Sequence, residues 1–357
     1  MLKINIKKYE DYKVNNKERY IYVENYYASD LPDINDINII KDLDSGLLYD
    51  YGYQNLHNGI FVDILSCFNS FIELGKNIYE TSIFNSIDEI NYENKNVSKK
   101  YEIVYKMVYE WIKLNGNPYN YINPMHSDLK DILPKDRIMQ FVYDCLICYS
   151  FYQINTSLLW LDNNDDEDED ENSIQANISN IEKFIRFTNL SNMCKEVIDD
   201  LYIINYEEFN DYDLIISDLE HLEENNIGTS EYQISINRIL ICIIAHTVIY
   251  RRHDFLITNQ KPIYIKNLMK YSLFENAESL TGIAYHQLLL NLTAGELPYN
   301  IRRCKNPNCS IMFHSRYRQQ YCNKLECQKY RKNKKSYDYY HRPTKNKKKN
   351  QKKAKNK

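Results

Sequence analysis

Cys304, Cys309, Cys322 and Cys327 form the pattern C-x4-C-x12-C-x4-C in a chain of 357 residues. Thiolate sulfur is a soft ligand that holds zinc tetrahedrally, and two short cysteine pairs across a longer loop can wrap one ion. Asn306-Pro307-Asn308 lies inside the first pair and suits a tight knuckle. Four thiolates close the coordination shell and leave no open position for substrate or activated water, so the expected cofactor is a single structural Zn2+. His314 is an alternative ligand by residue type, but four thiolates already complete the set.

The segments around these cysteines must position them. Ser310-Ile311-Met312-Phe313-His314 and Ser315 to Tyr321 are two short extended runs around a polar tip. They predict a β-hairpin linking the ligand pairs, with Phe313 and Tyr321 covering the metal core. Asn323 is placed to cap a helix that starts near Lys324 and stops before Pro343. Cys327 then projects from the first turn, where the helix N-terminus favours a thiolate. Knuckle, hairpin and ligand-bearing helix together describe a treble-clef-like finger with four cysteine ligands. On its helix, steps of three and four align Lys324, Gln328, Arg331, Lys335 and Arg342, while Tyr330, Tyr337 and Tyr340 fall on a side nearer Cys327. Arg316 and Arg318 at the hairpin tip extend the positive surface. These seven residues are the candidate nucleic-acid contacts: the cations supply phosphate affinity, and Gln328 and Arg331 have the groups to read base edges.

Charge distribution points the same way. Residues 301–357 contain 20 Lys and Arg against two acids, a balance of +18, which leaves 25 basic and 47 acidic residues, or −22, in 1–300. The overall net charge of −4 is an average over two oppositely charged parts. Such asymmetry calls for a polyanionic partner at the basic end: DNA first, RNA second, with an acidic membrane surface behind both. The last fourteen residues hold eight lysines and read as a disordered basic tail that could serve solubility alone.

Upstream, the pattern is helical. Apolar residues recur at steps of three and four from Ile60 to Leu74, ending near Gly75, and from Tyr101 to Ile112, stopped by Gly116 and Pro118. Further stripes run from Asp136 towards Trp160, over 176–188, 193–204 and 234–252, and from Glu278 to Leu292 before Gly295 and Pro298. Leu2, Ile4 and Ile6 alternate, and Tyr20-Ile21-Tyr22-Val23 is β-rich, so a small hairpin opens the chain. The expected fold is mainly α, with a multi-helix N-terminal domain followed by the finger. Its parts are 1–161, a first helical half with the hairpin; 162–172, an acidic linker; 173–295, a second helical half; 296–343, the finger; and 344–357, the tail. Eight carboxylates within 162–171 repel one another and define a solvated segment that could dock on the basic tail and mask it. The glycine and spaced ligands of a calcium-binding loop are missing from this run.

Cys67, Cys145, Cys148, Cys194 and Cys242 lie mostly in apolar helical surroundings, where a reduced thiol packs as a small hydrophobe. Cys145-x2-Cys148 sits within an apolar helical run, not after a strand, and reads as core packing instead of a redox pair. The opening residues carry no apolar run of a secretory signal, and the longest apolar stretch, Ile239 to Tyr250, is too short to cross a bilayer. A cytoplasmic protein without membrane partner is expected.

The run Ile301-Arg302-Arg303-Cys304-Lys305-Asn306-Pro307-Asn308-Cys309, then Phe313, Tyr321-Cys322 and Cys327, resembles the bacterial CGNR-type zinc finger. It is also similar to the C-terminal finger of related helical bacterial proteins of unknown function. The resemblance spans about residues 296–341 and implies a DNA-binding finger of a transcription regulator, with Cys304, Cys309, Cys322 and Cys327 as ligands. The family's Gly-Asn-Arg after the last cysteine is Gln328-Lys329-Tyr330 here, and the segment between the pairs is short.

No phosphate-loop, dinucleotide-fingerprint, zinc-protease or nucleophile-elbow motif is present, and eight glycines leave little material for a phosphate cradle. His126, His246, His253 and His286 are scattered singly. The expectation is therefore a non-enzymatic, bacterial, zinc-finger DNA-binding regulator whose helical domain senses a ligand or partner. The competing expectation is a protein-interaction module in which zinc only staples the finger. A homodimer would raise the reach of one small finger, but no heptad seam declares one.

Overall fold

The computed structural model describes residues 1–4, 6–8, 20–23, 27–28, 54–55, 60–90, 99–116, 118–119, 134–162, 171–203, 212–223, 229–248, 257–265, 270–277, 279–293, 301–306, 309, 311–314 and 319–341. The chain forms two compact units, Met1–Glu296 and Leu297–Lys357. The fold is mainly α. Among the described residues no helix is long and apolar enough to cross a membrane.

In the first unit the strands are β1 (Ile6–Lys8), β2 (Tyr20–Val23), β3 (Tyr27–Ala28), β4 (Gln54–Asn55) and β5 (Ile60–Asp63). The helices that follow are α1 (Ile64–Glu80), α2 (Lys99–Asn115), α3 (Pro134–Asp162), α4 (Glu171–Thr188), α5 (Leu190–Ile203), α6 (Tyr212–Glu223) and α7 (Ser230–His246). Strands β6 (Ile257–Ile265) and β7 (Lys270–Ala277) and helix α8 (Leu280–Thr293) complete the unit. β3 and β4 make a small antiparallel pair near the start. β1 and β2 do not pair with each other. Both flank β5, and β2 continues in parallel to β7, giving a five-stranded sheet of order β1-β5-β2-β7-β6.

The expected stripe from Ile60 divides in two. Ile60–Asp63 is a fully buried strand, and Asp63 then caps α1 by accepting from the Ser66 amide at 2.7 Å. Gly75 does not end this helix, which runs on to Glu80. Its role is closeness: a Cβ there would lie 2.2 Å from the Cys145 carbonyl oxygen, so α1 and α3 meet backbone to backbone. Gly116 does end α2, at φ 82°, with its amide donating to the Ile112 carbonyl at 2.7 Å.

α1, α2 and α3 share an aromatic core. The Phe71 ring meets Trp111 at 5.2 Å and Phe141 at 5.3 Å, both edge to face. The Trp111 indole donates to Ser70 Oγ at 2.6 Å, which satisfies its one polar atom in a buried place. Asn115 Oδ1 accepts from the Ile4 amide at 2.8 Å and so ties the first residues to α2. α4 packs on α3 across the acidic segment, of which 163–170 lies outside the described residues. Glu171 and Asn172, expected in the linker, already belong to α4.

In the second unit β8 (Ile301–Arg303) pairs antiparallel with β9 (Met312–His314), and α9 spans Leu325–His341. Hairpin and helix are both present, but the hairpin encloses the first cysteine pair instead of joining the two pairs. The apolar run at 312–314 finds its partner upstream, Arg302 opposite Phe313.

Candidate metal centre

The β8–β9 pairing folds the knuckle back on itself. The Cys304 amide donates to the Ile311 carbonyl at 3.0 Å, and the Cys309 amide donates to the Asn306 carbonyl at 2.8 Å. Lys305 donates its amide to the Gln320 carbonyl at 2.9 Å, which draws the segment before Cys322 alongside the knuckle. α9 supplies Cys327 from its first turn, where unpaired amides favour a thiolate. The four sulfurs consequently lie within 4.8 Å of one another and could hold one metal ion. Cys309 Sγ and Cys322 Sγ are 3.8 Å apart, and all four cysteines are free of disulfides.

The surroundings fit metal thiolates. Cys304, Cys322 and Cys327 are buried with Tyr321, and Phe313 and Tyr330 pack against them as a lid. The Tyr321 and Tyr330 rings are tilted, with centroids 6.1 Å apart. N–H groups point at sulfur: among them, the Cys322 amide donates to Cys304 Sγ at 3.4 Å, and Asn306 Nδ2 donates to Cys327 Sγ at 3.3 Å. Burial pushes the Cys304 thiol up, with the amides of Cys322 and Asn306 opposing it. The hydrogen bond with Cys322, followed by burial, pushes the Cys309 thiol up strongly. Crowded neutral thiols reverse this preference when a cation sits among them, because coordination deprotonates them.

Asn306 is the residue that spacing did not single out. It reads as a turn former, yet its buried side chain donates to a candidate ligand sulfur across 21 positions of sequence. Asn323 does not cap α9. Its Oδ1 accepts from Gln319 Nε2 at 3.0 Å, and the Lys324 carbonyl takes the first helical bond, from the Gln328 amide.

The candidate contact residues fall into three groups. Arg331 and Lys335 are exposed. Lys324 is half-buried at the entry to α9. Gln328 is half-buried and its amide nitrogen donates to the Cys322 carbonyl at 2.6 Å, so that nitrogen serves the finger's interior and not a base edge. Arg316, Arg318 and Arg342 lie outside the described residues, as does the tail 344–357. The stretch Arg331–Ser336 is exposed at every position and carries Arg331, Lys332, Lys334 and Lys335.

One other constellation has the residue types of a hydrolase. Ser235 Oγ donates to the buried Asp218 Oδ1 at 2.7 Å and lies 3.3 Å from His221 Nδ1. The order is wrong for nucleophile activation, because the serine proton goes to the carboxylate and no imidazole bridges the two. Arg238 forks onto the same carboxylate, donating from Nε at 2.7 Å and from Nη2. This network clamps α6 to α7. His246 is buried near Asp200, with Nε2 3.6 Å from Oδ2.

No protein-family model, no curated protein and no solved structure matches the chain.

Proposed function

We propose that Cys304, Cys309, Cys322 and Cys327 hold one structural Zn2+ and that the finger docks on DNA through the exposed basic stretch of α9. Zinc is favoured by the donor set: four thiolates suit it, and at about 2.3 Å from sulfur a tetrahedral ion sets its ligands about 3.8 Å apart. The Cys309–Cys322 separation of 3.8 Å matches that edge. Bound there, zinc supplies no reaction chemistry and fixes the start of α9.

The observation that carries the nucleic-acid reading is the run of exposed positions from Arg331 to Ser336. A helical stretch that buries no face over six successive residues and bears four cations gains most by lying against a polyanion. The resemblance of 296–341 to CGNR-type fingers supports DNA ahead of RNA. In this reading the helical unit receives a ligand or partner, and the protein is a cytoplasmic regulator.

The test is binding of the full chain to random-sequence duplex DNA across a salt series, alongside the double variant Arg331→Glu, Lys335→Glu. Each phosphate contact contributes about −0.9 to the log–log slope, so the variant should flatten it by about 2. An unchanged slope and affinity would place the contact elsewhere. Absence of binding by the wild-type chain would leave the finger as a staple.

A further inference from the structure

We infer that Asn306 is a positioning residue of the metal centre: by donating to one sulfur from each cysteine pair, it favours Cys304 and Cys327 as thiolates and sets how tightly the ion is held. This role rests on the four cysteines forming one metal site, as proposed above.

Asn306 lies inside the first cysteine pair and is buried at 6% exposure. Its side-chain Nδ2 donates to Cys327 Sγ at 3.3 Å, and its backbone amide donates towards Cys304 Sγ. Its carbonyl accepts from the Cys309 amide at 2.8 Å. One residue thus touches three of the four candidate ligands, two at sulfur and one at the backbone. The side-chain bond runs from the knuckle to the first turn of α9, across 21 positions of sequence.

The chemistry of that bond selects the charged ligand. A thiol is a weak acceptor, whereas an ionised acceptor takes a hydrogen bond roughly twice as strong as a neutral one. Four thiolates around a divalent ion also leave net negative charge, which N–H dipoles aimed at sulfur offset. Groups that orient and polarise metal ligands in this way contribute about 10–100-fold in metal affinity. Asparagine suits the place because it donates without bringing a charge. Asn306→Leu removes the donor, and Asn306→Asp keeps the shape but sets a carboxylate against the thiolates. Neither change touches the bonds from the Cys304 amide to the Ile311 carbonyl and from the Lys305 amide to the Gln320 carbonyl, which close the knuckle through the backbone.

The experiment uses the full chain, with zinc affinity read by competition against a chromophoric chelator and Co2+ substituted as a spectroscopic probe. Asn306→Leu should bind zinc about 10–100-fold more weakly than the wild type, and Asn306→Asp more weakly still. Losing an N–H donor raises the energy of the sulfur electrons, so the sulfur-to-cobalt charge-transfer band should move to longer wavelength in both variants. Weaker affinity with an unmoved band would reduce Asn306 to a packing residue and overturn the inference, as would unchanged affinity. Should both variants bind no metal, the wild type decides by NMR. Its Asn306 side-chain amide protons should move downfield on zinc loading while those of the exposed Asn333 stay in place; unmoved Asn306 protons would overturn the inference. A wild-type chain that binds neither zinc nor cobalt would overturn the metal reading itself, and this role with it.

Discussion

Cys67, Cys145 and Cys148 in the helical unit are buried as deeply as Cys304, Cys322 and Cys327 in the finger. Their neighbours differ. In the helical unit the thiols sit among packed helices, and Cys67 donates weakly to the Leu280 carbonyl at 3.4 Å. In the finger four sulfurs from three segments converge within 4.8 Å and receive N–H groups. Burial therefore does not separate a packing thiol from a ligand; convergence does. The sources of stability differ too. The helical unit has a connected aromatic core around Trp111, Phe71 and Phe141, whereas the finger's buried cluster is small and mostly cysteine. A unit with so little apolar material gains from a staple, which metal ligation by these four sulfurs would supply.

Breaking the staple should give the largest effect. Cys322→Ser should unfold the finger, since structural zinc contributes about 10–16 kcal/mol at neutral pH. Proteolysis should then cut within 301–341 while the unfolding midpoint of the helical unit stays put. A shared loss of both units would end the distinction between them.

The packing side is broken next at Gly75. Gly75→Ala forces a Cβ to within 2.2 Å of a backbone oxygen on α3 and should cost the helical unit about 3 kcal/mol in denaturant titration. Zinc content should not change.

pH sharpens the contrast because the two sets respond in opposite directions. Burial pushes Cys67, Cys145 and Cys148 well above the ordinary thiol range, Cys194 to about 12 and Cys242 to about 11. A folded-state pKa above the unfolded value means the contribution is complete below about pH 8.5 and is lost as pH rises towards the folded values. The helical unit should thus weaken above pH 8.5, by about 1 kcal/mol per pH unit for each fully buried thiol. The loaded finger needs thiolates and should fail on acidification instead. Circular dichroism of the helical unit and zinc release, each followed against pH, read the two separately.

The smallest effect is expected on the exposed face of α9. Arg331→Glu with Lys335→Glu should move the finger's stability by no more than about 0.5 kcal/mol, because surface charges contribute little. A large loss of helicity would mean that those side chains pack.

The convergence of Cys304, Cys309, Cys322 and Cys327 was legible because their spacing in two short pairs announces it, and the long helices were legible because an apolar period of three to four persists over many turns. The sheet was not. β6 carries β-branched residues at Ile263 and Ile265, but the neighbour that joins the β6–β7 pair to the sheet is β2, with Val23 opposite Ala277. No local pattern announces a pairing across 254 positions. α6 was missed although Ile215, Leu219 and Leu222 keep a helical step, because acidic residues interrupt the run on both sides. The hairpin in the finger was misplaced for a related reason. Both 301–303 and 315–321 offered partners to 312–314, and the choice is made by closure of the knuckle. Asn306 was read as a turn residue because its bond to Cys327 exists only once α9 has folded back.

The most direct test of the account is metal content. The full chain, purified without added metal and measured by inductively coupled plasma mass spectrometry, should carry one zinc. Removal by a chelator should make four additional thiols available to alkylation, while Cys67, Cys145 and Cys148 stay protected. Cys327→Ser should lose the ion. A chain without zinc, or a Cys327→Ser variant that keeps it, would contradict the assignment of Cys304, Cys309, Cys322 and Cys327 as one metal centre.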